Sequence, residues 1–227
     1  MRIVSYNISL SNQKKVQQLF ELKADVYVVP EIAKEEEKFL PSGYKMEWNG
    51  ITYPEGFHNT YSKGLGIIWK SDKGEILPGY DKTLQYAIPL KYEGKLILGF
   101  WPNNYKTKLS YTKTAELIID KYSSYFAEQD VIITGDFNLY FKPYSANIET
   151  INKKLDPLKL RSLYHTINNV DFGNETEHTF FQKKKDVITP FFLDYTYTNI
   201  PIDKIKMYGL IDFGRKFSDH VGQIIEI

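Results

Sequence analysis

Polar side chains that could hold a metal ion or move a proton stand where several apolar stretches of the sequence end. Asp219 and His220 lie side by side in FSDHVGQ, directly before the last apolar run. The other polar residues that follow or interrupt an apolar stretch are Asn7 after RIVSY, Glu31 after DVYVVP, Asp136 and Asn138 after DVIITG, and Asp194 within FFLDY. Because ligands collect at strand ends in α/β sheets, we predict that these side chains converge on one pocket.

Each of these positions also has an ordinary structural explanation. Gly, Asp and Asn favour turns for backbone reasons, so TGDFN alone is compatible with a simple turn, as is Asn7. Glu31 would cap a helix that begins near Ala33, and Asp219 with His220 would form an exposed pair at the end of a loop. Their joint occurrence in this order favours a functional site over these separate explanations.

The pattern of apolar residues predicts the elements that must position these side chains. RIVSYNI favours a strand, SNQKKVQQLFELK a helix with Val16, Leu19, Phe20 and Leu22 at helical spacing, and ADVYVVPE a strand covered on both faces. Further strands are predicted at GLGIIWK, GKLILGFW, DVIITGDFN, HTFFQ, FFLDYTYTN, IKMYGLI and VGQIIEI. The sequence therefore predicts an α/β fold whose sheets are covered by helices.

Two helical segments complete the prediction. An amphipathic helix is predicted from about Tyr111 to Phe126, with inward side chains at Ala115, Leu117, Ile118, Ile119 and Tyr122. Residues 139 to 174 are predicted to form loop and short helix, with one face made of Ile148, Ile151 and Leu155. No repeat and no Pro/Gly-rich linker divides the chain, so we expect a single domain over residues 1–227.

Composition excludes several classes of chemistry. The 227 residues contain 29 Lys and Arg against 28 Asp and Glu, so net charge provides no general attraction to nucleic acid or to an anionic membrane. Only three of the cations are arginine, which argues mildly against base-specific reading of DNA. The absence of cysteine removes disulfides, zinc thiolates and thiol nucleophiles. With no long apolar segment in the sequence, we expect a soluble, cytoplasmic protein without a membrane span.

The order of these motifs resembles that of the endonuclease/exonuclease/phosphatase superfamily, the proteins of the DNase I-like fold. Asn7, Glu31 in VVPEI, GDFN at 135–138, Asp194 in FFLDYTY and SDH at 218–220 carry the resemblance, which spans residues 4 to 225. The resemblance implies an α/β four-layer sandwich in which two mixed β-sheets pack face to face and are flanked by helices. The shorter stretch with SLYH, HTFFQKKK and FFLDY resembles small bacterial members of unassigned substrate.

The resemblance and the residue types together predict the roles of the site residues. Glu31, Asn7 and Asp219 would hold a hard divalent cation, with Mg²⁺ favoured and Mn²⁺ a plausible substitute, because the donors are carboxylate and amide oxygens.

The remaining residues would act on the substrate. Asp136 would orient or deprotonate the attacking water, and Asn138, on the same side of an extended segment, would donate to a phosphate oxygen. Asp194 would fix the tautomer of His220, which would contact the phosphate or act as general base. The sequence leaves open which of Asp136 and His220 is the base.

The sequence departs from the family pattern on one strand. Many members carry a further histidine or tyrosine before the Pro-containing loop that WPNNY matches, and here Phe100 and Trp101 occupy that place. Asn103 or Lys106 would replace the missing phosphate donor, with His58 and His178 as weaker candidates.

Three functions remain open on the sequence. The first is a metal-dependent nuclease that cleaves nucleic acid by in-line water attack, favoured by lysines after WPNNY and by the run at 183–185. The second is a phosphatase or phosphodiesterase on a lipid, inositol or sugar phosphate. The third is a non-catalytic binding scaffold. We expect a monomer, and the sequence names no protein partner.

Overall fold

The computed structural model describes residues 1–52, 62–84, 86–103, 108–127, 129–142 and 147–227. In chain order, the strands and α-helices are β1 (Arg2–Ser5), α1 (Gln13–Phe20), β2 (Val26–Ile32), β3 (Tyr44–Thr52), β4 (Ser62–Lys70), β5 (Gly74–Ile76), β6 (Ala87–Tyr92), β7 (Lys95–Phe100), α2 (Tyr111–Tyr122), β8 (Val131–Asp136), α3 (Ile148–Leu155), β9 (Arg161–Ser162), α4 (Leu163–Asn168), β10 (Phe180–Lys184), β11 (Val187–Phe191), β12 (Asp194–Thr198), β13 (Met207–Ile211) and β14 (Gly222–Glu226). Short 3-10 helices cover Lys34–Phe39, Ser123–Tyr125, Asp156–Leu158 and Ile202–Lys204. None of the described helices has the length and apolar character needed to cross a membrane.

Two six-stranded mixed sheets form the centre of the molecule. The first has the strand order β13-β14-β1-β2-β4-β3, and the second has the order β5-β6-β7-β8-β12-β9. Each sheet contains one parallel pair, β1 with β2 and β7 with β8, among antiparallel neighbours. The strands β10 and β11 form a separate antiparallel hairpin.

Three clusters of buried side chains show how the layers pack. Side chains from both sheets, including Val28 and Ile67 of the first and Ile97 and Ile132 of the second, form one cluster between the sheets. A second cluster joins the outer face of the first sheet to α1, and a third joins the outer face of the second sheet to α2 and α3. The four-layer arrangement predicted from the sequence is therefore confirmed. Burial of each large aliphatic side chain in such a layer contributes roughly 1.5–3 kcal/mol.

Local sequence explains where the helices begin. The Asn12 side chain accepts a hydrogen bond from the Lys15 backbone nitrogen at the start of α1, and Ser110 caps α2 in the same way at Lys113. The second helix ends at Tyr122, and a 3-10 turn continues to Tyr125, so the predicted continuous helix to Phe126 is too long.

Some predictions of side-chain orientation and strand position were wrong. Leu117 is 38% exposed, although its predicted partners on the inward face of α2 are buried. The strands β3, β5, β6, β9 and β11 were not predicted; β9 lies in the segment predicted as loop and short helix. β3 is an edge strand with mostly half-buried side chains, so its sequence lacks a clear apolar pattern. In the turn between β6 and β7, Glu93 and Gly94 both have positive φ, as a tight hairpin requires.

Candidate active site

The side-chain amide of Asn7 lies at the centre of the predicted pocket. Its nitrogen is 3.0 Å from Asp136 Oδ2, 3.3 Å from His220 Nε2 and 3.4 Å from Glu31 Oε1. These residues are separated by up to 213 positions in the sequence, and three of the four are at least 95% buried. The predicted convergence of Asn7, Glu31, Asp136 and His220 is therefore observed.

The strand order brings these residues together at one end of both sheets. Asn7 follows β1, and the backbone nitrogens of Tyr6 and Ile8 donate to carbonyl groups of β2, which carries Glu31. Ser218 Oγ donates to the Asn7 carbonyl at 2.6 Å and accepts from the His220 backbone nitrogen at 3.0 Å. One serine hydroxyl therefore fixes the segment before β14 against the end of β1.

The antiparallel pairing of β8 with β12 places two acids opposite each other. Asp136 and Asp194 are register partners, each at the end of its strand nearest the site, and both are buried. Thr179 Oγ1 accepts hydrogen bonds from the backbone nitrogens of Leu193 and Asp194, both at 2.9 Å, and so holds the start of β12. No motif of the sequence indicates this role of Thr179.

The imidazole of His220 lies between these two carboxylates. Its Nδ1 is 2.9 Å from Asp194 Oδ2, and its Nε2 is 3.9 Å from Asp136 Oδ2. Burial alone would lower the pKa of His220, but the charges of Asp194 and Asp136 and the hydrogen bond to Asp194 raise it to about 9. The imidazole is therefore held in its cationic form near neutral pH, with Nδ1 donating to Asp194.

The two buried acids have raised pKa values. Burial, with a smaller contribution from the nearby Asp194, raises the pKa of Asp136 to about 7 against the lowering effect of the His220 charge. Burial likewise raises the pKa of Asp194, against the lowering effect of His220. When His220 is protonated, its Nε2 has no lone pair for the Asn7 amide, so the shorter contact of that amide with Asp136 is the hydrogen bond.

Glu31 occupies a strained position on β2. Its φ is 64°, in the left-handed region, and the register of β2 against β4 shifts between Pro30 and Ile32. A non-glycine residue in this region costs of order 1 kcal/mol, and such strain concentrates at functional sites. The bulge turns the half-buried carboxylate toward Asn7, while its other oxygen forms an ion pair with Lys63 at 2.8 Å.

The GDFN segment forms a turn as well as part of the site. Gly135 has φ 150°, and a Cβ there would lie 1.8 Å from the Phe100 carbonyl oxygen, so only glycine fits. Asp136 Oδ1 accepts from the Asn138 backbone nitrogen at 2.9 Å, which is the side-chain turn that the ordinary explanation of TGDFN requires. One oxygen of Asp136 thus closes the turn, and the other faces Asn7.

The predicted extended geometry at Asn138 is wrong. Asn138 has φ 53°, because the chain turns directly after β8, and its side-chain nitrogen donates to the Pro102 carbonyl at 3.1 Å. The amide therefore ties the end of β8 to the loop after β7. Its contact with a substrate phosphate stays a prediction.

The other predicted residues are less closely tied to this centre. Asp219 is half-buried, its carbonyl accepts from Phe181 and Arg215, and its carboxylate forms no hydrogen bond or ion pair with another described residue. Asn103 is half-buried on the loop after Pro102. Lys106 and His58 lie outside the described residues. The metal-binding role of Asp219 and the phosphate-binding roles of Asn103 and Lys106 stay predictions.

Phe100 and Trp101, which stand where the resemblance expects a phosphate donor, are core residues. Phe100 packs against Phe137 with ring centroids 4.4 Å apart, and Trp101 packs edge-on against Tyr86 at 4.9 Å. Both are almost fully buried. The one cation close to this place is Lys63, whose ammonium lies 5.6 Å from the centre of the Trp101 ring, within the described part of the chain. Sequence reasoning missed Lys63 because it belongs to none of the motifs.

The chemistry of the donors suits a divalent cation. Within the described residues, ligand atoms of Asp136, Asp194 and His220 lie within 4.8 Å of one another and could hold a metal ion. Burial raises the pKa of both acids because their charge is poorly solvated there, and a bound cation would offset that cost. Glu31 Oε1 adds a further oxygen 3.4 Å from the Asn7 side-chain nitrogen, while Asn7 Oδ1 accepts from the Ser9 backbone nitrogen at 2.9 Å, and the chain has no thiolate. Such an oxygen-rich set fits a hard cation better than zinc.

Comparison with known proteins defines the fold. No protein-family model and no curated protein sequence matches this chain. An AP endonuclease from Archaeoglobus fulgidus matches 100% of this chain and 99% of its own at 15% identity, with a TM-score of 0.68.

Two further structures match over the whole chain. An endonuclease/exonuclease/phosphatase family protein from Leptotrichia buccalis is 17% identical, with a TM-score of 0.62 and 99% of its own chain covered. A mannosyl-6-phosphatase from Bacteroides thetaiotaomicron is 15% identical, with a TM-score of 0.62 and 98% of its chain covered. The chain thus has the DNase I-like fold of the endonuclease/exonuclease/phosphatase proteins, as the motif order predicted.

Proposed function

We propose that this protein is a metal-dependent phosphodiester hydrolase that cleaves nucleic acid by in-line attack of water. One observation supports the proposal above all: the side-chain amide of Asn7 contacts Glu31, Asp136 and His220. An ordinary turn or surface pair would not bury a histidine between two acids at the meeting point of two sheets.

Glu31 and Asn7 would hold the cation, with Asp219 as a further donor. When bound, a cation such as Mg²⁺ or Mn²⁺ neutralises the non-bridging oxygens of the phosphate and supports the leaving oxygen. The other groups of the site supply the proton chemistry and the remaining contacts to the substrate.

Asp136 is the proposed base. A carboxylate whose pKa lies at about 7 accepts a proton from water far more readily than an ordinary aspartate does. His220 is held protonated by Asp194, so it would donate from Nε2 to a phosphate oxygen rather than remove a proton. Asn138 would hold the loop after Pro102 beside the substrate and present its amide group there.

The hairpin β10–β11 supports a nucleic-acid substrate. Phe180, at its base, forms a bridge to His220 and packs against the imidazole with ring centroids 4.6 Å apart. The exposed residues Lys183, Lys184 and Lys185 lie at the other end of this hairpin. These lysines, at the far end of a hairpin whose base contacts the catalytic histidine, would bind phosphates of a nucleic-acid strand away from the cleaved bond.

The alternative substrate is a small phosphate ester. One of the structures with this fold is a mannosyl-6-phosphatase, and the donors that bind a phosphodiester also fit a sugar phosphate. A lipid or inositol phosphate would use the same groups. The two classes differ in whether the hairpin lysines are needed for turnover.

A substrate panel tests the proposal. Supercoiled plasmid, single-stranded DNA, RNA, bis-p-nitrophenyl phosphate and p-nitrophenyl phosphate are each incubated with Mg²⁺, Mn²⁺ or EDTA. We expect cation-dependent cleavage of diesters with little cleavage of the monoester, and loss of activity in H220Q. H165Q is the matched control, since His165 is a buried histidine that contacts Glu175 outside the candidate site. Monoester cleavage alone would favour the small-ester function, and silence with every substrate and cation would favour the scaffold.

A further inference from the structure

Lys63 stands at the start of β4, against the predicted metal-binding carboxylate. Its ammonium is 2.8 Å from Glu31 Oε2 and 5.6 Å from the centre of the Trp101 ring. Its side chain is 28% exposed and that of Glu31 is 18% exposed, so the pair lies at the border between the site and solvent. Among the described residues, no other lysine or arginine forms an ion pair with a carboxylate of the candidate site.

A positively charged side chain would offset the negative charge that collects at the site. Glu31, Asp136, Asp194 and Asp219 bring four acids to the end of the two sheets, and a phosphate ester adds further negative charge. Lys15 also lies near Glu31 and Asp219, but its ammonium donates to the carbonyl groups of Ile8, Ser9 and Leu10 and is engaged with the backbone.

The position of Lys63 also matches the missing donor of the site. Phe100 and Trp101 replace the histidine or tyrosine that would contact the phosphate, and both rings are buried in the core. The Lys63 ammonium lies close to the ring of Trp101. A lysine on β4 therefore brings a donor to the position where a histidine or tyrosine at the end of β7 would contact the phosphate. A lysine has a flexible stem and three donors that rotate, so it can exchange one anionic partner for another.

We propose that Lys63 is a phosphate-binding residue that also competes for Glu31. In protein without a divalent cation, its ammonium neutralises the Glu31 carboxylate. Once that carboxylate holds the cation, the ammonium is repelled from it and contacts a non-bridging oxygen of the substrate phosphate. This inference rests on the proposed function, and it assigns a donor that no motif of the sequence contains.

The test measures both the affinity for Mn²⁺ and the rate of hydrolysis. If Lys63 only formed a structural ion pair, its loss would lower both quantities, whereas the proposal expects the affinity to rise and the rate to fall. In K63M the competing charge is removed, so we expect Mn²⁺ to bind about tenfold more tightly in calorimetry without substrate, a change of about 1.4 kcal/mol. The kcat/KM for bis-p-nitrophenyl phosphate at saturating Mn²⁺ is expected to fall about 100-fold, the usual effect of losing one charge-stabilising donor. K63R keeps the charge and is expected to regain at least a tenth of the wild-type rate.

K70M is the matched control. Lys70 lies at the opposite end of the same strand and forms an ion pair with Asp25, far along β2 from Glu31. This variant removes a lysine and an ion pair from β4, and we expect Mn²⁺ affinity and hydrolysis to stay within twofold of wild type. Thermal unfolding of all variants shows that they are folded under the conditions of the assays.

The inference and the proposed function fail in different ways. K63M with unchanged Mn²⁺ affinity and unchanged hydrolysis would overturn the inference, as would a loss of both together with a lowered Tm. A wild-type protein that binds Mn²⁺ but cleaves no phosphate ester would refute the proposed function. In that case the Mn²⁺ affinity of K63M still decides whether Lys63 competes for Glu31.

Discussion

The hydrogen bond between Asp194 and His220 gives a prediction whose size follows from the structure. The two atoms are 2.9 Å apart and both side chains are buried, so solvent screens their interaction little. In D194N the charge is removed while the shape is kept. A hydrogen bond to a charged group contributes about 1.5–3 kcal/mol, and one pKa unit corresponds to about 1.4 kcal/mol. The pKa of His220 is therefore expected to fall from about 9 by roughly one to two units.

The assay follows the imidazole resonances of the protein by NMR as pH is varied, in EDTA. The chain contains four histidines, and the His220 signal is assigned by its absence in H220Q. In D194N, hydrolysis at pH 7 is expected to fall by about 10² to 10⁴, since the imidazole loses the carboxylate that orients it.

The control is E175Q. Glu175 contacts another buried histidine, His165, at 3.0 Å and lies outside the candidate site. This variant perturbs a second carboxylate–histidine pair without affecting the one at Asp194. An unchanged His220 titration in folded D194N would refute the electrostatic reasoning, and an unchanged rate would remove Asp194 from the mechanism.

Three further predictions address the acid, the pH dependence and the turn. D136A is expected to lower the hydrolysis rate by about 10² to 10⁴, and near-wild-type turnover in the folded variant would remove Asp136 as the base. In EDTA, Tm should fall as pH rises from 6 to 9.5. Because the pKa of His220 is raised from 6.5 to about 9, its protonation contributes stability that is fully present below pH 6.5 and is lost as pH rises through about 9. Because the pKa of Asp136 is raised from 3.8 to about 7, the stability contributed by its protonated form is lost as pH rises through about 7. Differential scanning fluorimetry measures this, and a Tm that rises over that range contradicts it. G135A should destabilise the fold by roughly 3 kcal/mol in urea unfolding, against about 1 kcal/mol for G94A, whose added Cβ meets no atom within 4 Å; equal effects would contradict the steric argument.

Part of the fold could be predicted because it depends on local patterns. Apolar runs identified β2, β4, β7 and β8, helical spacing after a Ser/Asn start identified α1, and an amphipathic pattern identified α2. Leu117 was wrongly predicted to face inward. It lies next to the buried face of the helix, and its apolar side chain does not by itself reveal that it is outside that face. The edge strand β3 was missed because one side of it pairs with no strand and its side chains are mostly half-buried.

The candidate site was predictable to a similar extent. Each of Asn7, Glu31, Asp136, Asp194 and His220 was identified from its place at the end of an apolar run and from the order of the motifs. Lys63 and Thr179 were missed, because they act through contacts with residues distant in sequence and carry no motif of their own.

Residue type and spacing of a few positions were enough to predict nine strands, the helices α1 and α2, and the polar residues that follow, interrupt or precede the apolar runs. Only the tertiary structure decided that β8 and β12 pair with Asp136 opposite Asp194, that Glu31 takes a left-handed backbone conformation, and that Lys63 reaches Glu31. The raised pKa values likewise arise from burial and from charges brought close by strand pairing. The physical reason is that hydrogen bonds, ion pairs and desolvation depend on distances in space, which strand order and register set across the whole chain.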